Sequence, residues 1–181
     1  MTCIKETHHT TAGKPLLLEI AELNPDNILV TITNQSYWED KLSYFKYTLL
    51  LSGIYAFYKL TIATKLLIDV CLLGALLLVI YFLFNVVQFE SLTFINEFGV
   101  QTSTRYFLGL KSSMFIPTSD IHDVVINEVI CDLKVIYFLI IRTKGRLYKT
   151  KPIIPLFDGL RPSIDCLEPI YKVLYKKFDT E

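Results

Sequence analysis

Apolar and polar positions along the chain follow three regimes. From Leu66 to Phe89 the run LLIDVCLLGALLLVIYFLFNVVQF is apolar almost without interruption, and Asp69 is its only charge. As a helix, Leu66 to Val87 would extend about 33 Å at 1.5 Å per residue, the thickness of a bilayer core. Ahead of it, YTLLLSGIYAFY from Tyr47 to Tyr58 is too short to span unaided. Adding KLTIAT lengthens it to about 18 residues, the lower limit, with Lys59 inside. Together the segments predict a membrane helical hairpin over residues 47–89, turning between Lys59 and Lys65 and either crossing fully or dipping in and returning. In both cases the flanking sections lie on the same side. Lysines before and within the turn (Lys41, Lys46, Lys59, Lys65) leave the positive-inside rule undecided. Asp69, four residues after Lys65, reads as an interfacial acid beside a snorkelling lysine.

Beyond the hairpin the period falls to two. SLTFINE, GVQTSTRYF, SSMFIP, IHDVVINEVI, KVIYFLIIR, RLYKT and IIPLF predict strands, separated by Gly99, Gly109, Pro117 and Gly145. Such short β-rich runs suit antiparallel pairing, with TKGR as a hairpin turn. LKVIYFLII is apolar on both faces, as expected of a central strand or one resting on another surface. After Pro162 the period changes to that of a helix: Ile164, Leu167, Tyr171, Leu174 and Phe178 form one amphipathic stripe. Lys172, Lys176 and Lys177 near its C-terminal end favour the helix dipole. Pro169 projects off the stripe, close to the first turn, where proline is tolerated. The predicted fold is α+β: a membrane helical hairpin followed by a PH-like antiparallel β-barrel over residues 90–181, capped by a C-terminal amphipathic helix. In residues 1–46, PLLLEIAE and NILVTITN read as two strands around the turn-like LNPDN. The pattern does not say whether they join the C-terminal section.

Composition narrows the function. Eighteen basic and eighteen acidic residues in 181 give no net charge, which argues against a general nucleic-acid partner. The four cysteines, Cys3, Cys71, Cys131 and Cys166, form no CxxC and indicate neither a zinc site nor a disulfide framework. MTCIKETHHTTAGK has no apolar core, so no cleavable signal peptide is expected.

IPTSDIHDVVINEVI, Ile116 to Ile130, invites a metal or acid–base reading because it holds Asp120, His122, Asp123 and Glu128. Its β-branched residues make it a strand. In a strand His122 and Glu128 share a face but lie about 20 Å apart, and Asp123 and Asn127 about 13 Å. Asp120 with His122 does not complete a metal shell. Asp165 and Glu168 read as helix N-terminal groups. No phosphate loop or nucleophile motif is present, and neither a cofactor nor catalysis is expected. Asn127 and Glu128 interrupt the apolar strand on opposite faces, so at least one is expected on the core side or at an interface, where a buried carboxylate needs a partner. RTKGRLYKTK contributes Arg142, Lys144, Arg146, Lys149 and Lys151 with no acid. Beside a bilayer these could contact anionic headgroups at about 1 kcal/mol each; otherwise they are a solvated hairpin.

DVVINEVI followed by VIYFL, and LRPSIDCLEPIYKVL in the closing helix, resemble the PIG-H family, a component of the phosphatidylinositol N-acetylglucosaminyltransferase complex. ESL at Glu90 to Leu92, FGVQ at Phe98 to Gln101 and the preceding hairpin fit the same family. The resemblance implies a non-catalytic subunit of the complex that transfers N-acetylglucosamine from UDP-N-acetylglucosamine to phosphatidylinositol, the first step of glycosylphosphatidylinositol (GPI) anchor synthesis. It implies association with the catalytic glycosyltransferase subunit and other membrane subunits. It also implies location in the endoplasmic reticulum membrane, with both terminal parts facing the cytoplasm. Asn127, Glu128, Arg161, Asp165, Cys166 and Tyr171 are then partner-interface or fold-defining residues. The alternative is a membrane-anchored PH-like module binding anionic lipid headgroups through the basic hairpin.

Overall fold

The computed structural model describes residues 2–24, 27–61, 66–131 and 133–178. Two antiparallel sheets carry the fold. The larger has six strands in sequential order, β1 (Thr2–His9), β2 (Pro15–Asn24), β3 (Asn27–Asn34), β4 (Val87–Ile95), β5 (Gly99–Tyr106) and β6 (Lys111–Pro117). The smaller holds β7 (Ile121–Cys131), β8 (Lys134–Thr143) and β9 (Ile153–Leu156). Helices α1 (Tyr37–Thr61) and α2 (Leu66–Phe84) lie between β3 and β4. The one-turn α3 (Gly145–Tyr148) links β8 to β9, and α4 (Ile164–Phe178) follows β9.

Alternation builds the core. Leu16, Leu18 and Ile20 of β2 face Ile28, Val30 and Ile32 of β3, all buried, while Glu19 and Thr31 point away. Pairing of β3 with β4, with Val30 opposite Leu92, puts the first strands and the C-terminal strands in one sheet. The second sheet adds Val124, Leu139, Ile141, Ile154 and Leu156 to the same core. β8 is its central strand, as its two-faced apolar sequence requires. Helix α4 packs on β7 and β8. Its buried face is Cys166, Leu167, Ile170 and Leu174, whereas the expected stripe members Ile164, Tyr171 and Phe178 are only half-buried. Pro169 sits inside α4, beyond the first turn, and is half-buried.

Several expectations are corrected. Among the described residues no helix is long and apolar enough to cross a membrane. α1 carries Lys41, Lys46 and Lys59 along its length. α2 covers 19 residues, about 28 Å at 1.5 Å per residue. The helices do pack together antiparallel, with Tyr44 stacked near Phe82 and Lys59 Nζ 2.7 Å from Asp69 Oδ2. Asp69 therefore finds its cation on α1. The snorkelling partner expected for it, Lys65, lies outside the described residues with the rest of the turn at 62–65, as does part of LNPDN. No closed barrel forms, because the two sheets do not join into one ladder. RLYKT is not a strand: TKGRLYKT opens at Gly145, where φ is +64°, into the turn of α3. β1 has no counterpart in the expected strands because it is a largely exposed edge strand without apolar alternation; Lys5 pairs across the ladder with Glu19 at 2.6 Å.

Candidate functional site

The residues singled out in the sequence do not converge on one point. Asn127 and Glu128 lie midway along β7, opposite Phe138 and Tyr137 of β8. Both are exposed, which corrects the expectation that one enters the core. At this level β7 and β8 extend past the covering elements and form an arm. Its end exposes Val129, Ile130, Val135 and Leu133, the last fully exposed. Leu133 holds a φ of +62° in the tight turn. An apolar tip on a two-stranded arm is what an interaction surface requires.

Arg161 stands at the entry to α4 with φ +47°. Its backbone is held from both sides: its N–H donates to Phe157 O at 3.0 Å, and Thr11 N–H donates to its carbonyl at 3.0 Å. Its guanidinium is exposed, with a loose contact to Asp158 at 3.9 Å. Arg161 thus shapes the link between β9 and α4. Asp165 is exposed in the first turn of α4, where its charge suits the helix dipole. Tyr171 is half-buried beside Tyr175, ring centroids 5.5 Å apart. Cys166 is wholly buried, and burial pushes its thiol up to about 12, with the charge of Glu6 adding to the shift. It belongs to the core. Alkylation of the native chain at neutral pH should therefore modify the exposed Cys3 and Cys71 and leave Cys166 untouched until denaturant is added. Peptide mass mapping checks this, and labelling of native Cys166 at the rate of Cys3 would contradict it.

The basic run is divided by the fold. Arg142 on β8 is held by Asp123 of β7 in a two-point ion pair, Nε to Oδ1 at 2.7 Å and Nη2 to Oδ2. The pair draws the Asp123 carboxyl below its ordinary value, mainly through the Arg142 hydrogen bonds. Its contribution is present above the unfolded pKa and is lost as pH falls through the folded one. Lys144, Arg146 and Lys149 are exposed around α3. Lys151 turns instead toward β6, where its ammonium lies 3.8 Å from Met114 Sδ. The run is thus a helical connection with three cations around α3 and a fourth, Lys151, exposed beside β6.

Of His122, Asp120 and Asp123, the fold keeps His122 beside Asp123 and sets Asp120 apart. His122 is exposed, its Nδ1 3.5 Å from Asp123 Oδ2, while Asp120 lies in the 3-10 turn Thr118–Asp120, its carbonyl accepting from Lys144 N–H at 2.7 Å. Among the described residues no group of three or more His, Cys, Asp or Glu could hold a metal ion.

A residue that sequence reasoning used only as part of a motif proves the most unusual. Glu90 on β4 is 6% exposed. Its Oε1 accepts from Thr104 Oγ1 at 3.1 Å and Gly159 N–H at 3.3 Å, and its Oε2 from Leu160 N–H at 3.1 Å. Burial raises its pKa above the ordinary carboxylate value; these three donors pull the other way, and the charge of Asp158 adds to the rise. A Cβ on Gly159 would sit 3.1 Å from Glu90 Oε1 and 2.9 Å from Val87 Cγ2, so a larger residue here would have to push one of these side chains aside. The one sequence signal was an acid at an inward position of an alternating strand. Glu90 forms part of the wall of a cavity of about 510 Å³ between β4, β5, β6 and β9.

Residues 91–158 match the family model described as GPI-GlcNAc transferase complex, PIG-H component. Three curated relatives, from Mus musculus, Bos taurus and Homo sapiens, are each the H subunit of phosphatidylinositol N-acetylglucosaminyltransferase. Each is 34% identical over 94 residues, covering 51% of this chain and 50% of its own. The chain spans about half the length of the curated relatives it matches. No solved structure matches it. The family match starts within β4, ends just past β9, and takes in the β7–β8 arm and the basic connection. The resemblance read from DVVINEVI and its neighbours is borne out there: residues 91–158 match the model of the PIG-H component.

Proposed function

We propose that the chain is a non-catalytic subunit of the GPI-GlcNAc transferase complex. It acts as an adaptor for the catalytic glycosyltransferase subunit in the transfer of N-acetylglucosamine to phosphatidylinositol. The observation that carries this reading is the match of the PIG-H component model to the strands from β4 to β9. The adaptor role is supported by two exposed apolar surfaces. One is the tip of the β7–β8 arm; the other is the flanks of α1 and α2, where Trp38, Leu49, Phe57, Leu77 and Tyr81 stand exposed. Surfaces of that kind on a folded chain favour partners over water. We place the chain at the endoplasmic reticulum membrane, its helices packed against membrane subunits of the complex and its β-sheets on the cytoplasmic side.

Expression in cells lacking the PIG-H component is expected to restore GPI-anchored proteins at the surface, read by flow cytometry. Replacing Ile130 and Leu133 together with serine should reduce recovery of the catalytic subunit by affinity capture several-fold while leaving thermal stability unchanged, since both side chains are exposed. No restoration by the intact chain would overturn the function, and undiminished capture would overturn the docking role of the arm. The headgroup-binding alternative rests on Lys144, Arg146, Lys149 and Lys151, because Arg142 already has its carboxylate. Vesicle binding unaffected by neutralising those four would remove it.

A further inference from the structure

The larger sheet ends on one side at β6, whose ladder partner is β5. Two backbone bonds at the ends of this pair fix which groups of β6 the ladder uses. Thr118 N–H donates to Phe98 O at 3.1 Å, and Tyr106 N–H donates to Leu110 O at 2.8 Å. The register between them runs without a shift, so Ile116, Met114 and Ser112 exchange the ladder bonds with Val100, Thr102 and Thr104. The intervening residues Lys111, Ser113 and Phe115 therefore direct their N–H and C=O groups outward, away from β5. Pro117 has no N–H and closes the row at that end. Such an open row is a template for one more strand. The opposite edge, β1, differs: Ser163 N–H donates to His9 O at 2.9 Å, and Glu19 neutralises Lys5. β9 is short, four residues with Pro155 among them.

The rows of side chains that cross β4, β5 and β6 define what fits. On the face turned from the core they are Phe89, Arg105 and Lys111; Ser91, Ser103 and Ser113; Thr93, Gln101 and Phe115. Arg105 and Lys111 stand directly opposite each other, and like charges so placed disfavour the pair. Arg105 lies 5.8 Å from the centre of the Phe89 ring, and among the described residues neither cation is paired with a carboxylate. An acid on the next strand, beside Lys111, would offset both charges. Phe115 is 53% exposed, and an aromatic or β-branched neighbour would cover it. The position opposite Met114 points to the other face, where Met114 borders the cavity of about 510 Å³, so an apolar side chain has room there. A second copy of β6 would bring the same two cations and offset neither.

We propose that β6 takes up an extended acidic segment of a partner chain as an added antiparallel strand of the six-stranded sheet. From its N-terminus, that segment has an aromatic or β-branched residue opposite Phe115, an apolar one opposite Met114, a small polar one opposite Ser113, and Asp or Glu opposite Lys111. Its backbone bonds to Phe115, Ser113 and Lys111. The site lies on β6 rather than on the β7–β8 arm, and it does not rest on the adaptor reading.

The test uses the full chain in mild detergent and a dye-labelled synthetic peptide of this pattern, with binding read by fluorescence anisotropy. Saturable binding is expected, and a peptide with lysine in place of the acid should bind about ten-fold more weakly. Lys111→Glu should reverse that preference, a swap that loss of folding does not produce. N-methylation of the peptide amides that face β6 should abolish binding, whereas N-methylation of the intervening amides should leave it. Ser113→Pro removes an outward N–H and no ladder bond, so it should weaken binding about ten-fold at unchanged melting temperature. Should that variant not fold, the charge swap and the methylation pattern still decide. No saturable binding at millimolar peptide, equal affinity for acidic and lysine peptides, or equal loss from both methylation patterns would overturn the proposal. So would a dimer, seen by light scattering, that Ser113→Pro dissolves, since the edge would then belong to a second copy. None of these readouts involves the transferase complex, so failure here leaves the adaptor reading to its own test.

Discussion

Gly99→Ala is expected to lower the melting temperature by about 10 °C, the largest effect of any single methyl group in this chain. A Cβ at this position would lie 2.1 Å from the backbone oxygen of Ile116 and 2.9 Å from Pro117 Cα. Its φ of +146° is also one that side chains rarely adopt. Neither atom can move away without parting β5 from β6, because Gly99 and Pro117 are ladder partners. Backbone strain of roughly 1–3 kcal/mol adds to the cost of opening the ladder. At about 2–4 °C per kcal/mol for a chain of this size, a shift near 10 °C follows. Gly53→Ala in α1 and Gly74→Ala in α2 serve as controls, since a Cβ at either meets nothing within 4 Å. Both should hold or gain stability, by about 0.5–1 kcal/mol each. A Gly99 variant that melts with its parent would show that the β5–β6 end is not part of the cooperative core.

Glu90→Ala should be comparably damaging for a different reason. It strands the N–H groups of Gly159 and Leu160 and the Thr104 hydroxyl. An unsatisfied buried group costs about 1–3 kcal/mol, and two of these three bonds are only part-buried, so a total at the low end, roughly 3–5 kcal/mol, is expected. Glu90→Gln keeps one carbonyl acceptor and should cost less. The two variants also separate charge from shape through pH. Burial raises the folded pKa of Glu90 above its ordinary 4.5, so the native state holds this proton more tightly than the unfolded chain. The resulting stabilisation is fully present below the unfolded value and is lost as pH rises through the folded one. Thermal melts of the parent should show this declining contribution above pH 4.5, and Glu90→Gln should flatten it. An identical pH profile in parent and Gln variant would mean that the carboxyl is not the buried, shifted group described.

What the sequence discloses follows from which signals are local. β2, β3 and β5–β8 are legible because alternation such as Leu16, Leu18, Ile20 is written within one strand. α4 is legible because its residues recur at helical spacing. β1 is not, since an edge strand buries little and its polar residues carry no period. The apolar runs of α1 and α2 mislead: hydropathy reports what a helix avoids, whereas Lys59 meeting Asp69 depends on how the two helices pair. Glu90 illustrates the limit for the site. Its acid is visible, but its partners at Thr104, Gly159 and Leu160 lie up to seventy residues away. Only the β9–α4 link brings the last two to it. Asn127 and Glu128 fail as core candidates because alternation specifies a face without specifying whether anything covers it.

The order of strands in the larger sheet has a consequence for how the chain assembles. β3 and β4 are ladder neighbours, yet the whole helical pair lies between Asn34 and Val87. In topological terms α1 and α2 are a long insertion in the loop of a β-hairpin. Closing a flexible loop of some fifty residues costs roughly 2 kcal/mol more than closing a four-residue one. Antiparallel helices remove most of that penalty, because they return the chain to within one strand spacing of where it left. The helical pair thus acts as a clip: once it zips, the two halves of the sheet are delivered to each other in register. During synthesis β1–β3 would wait, half a sheet with an open edge, until the clip has formed and β4 has emerged.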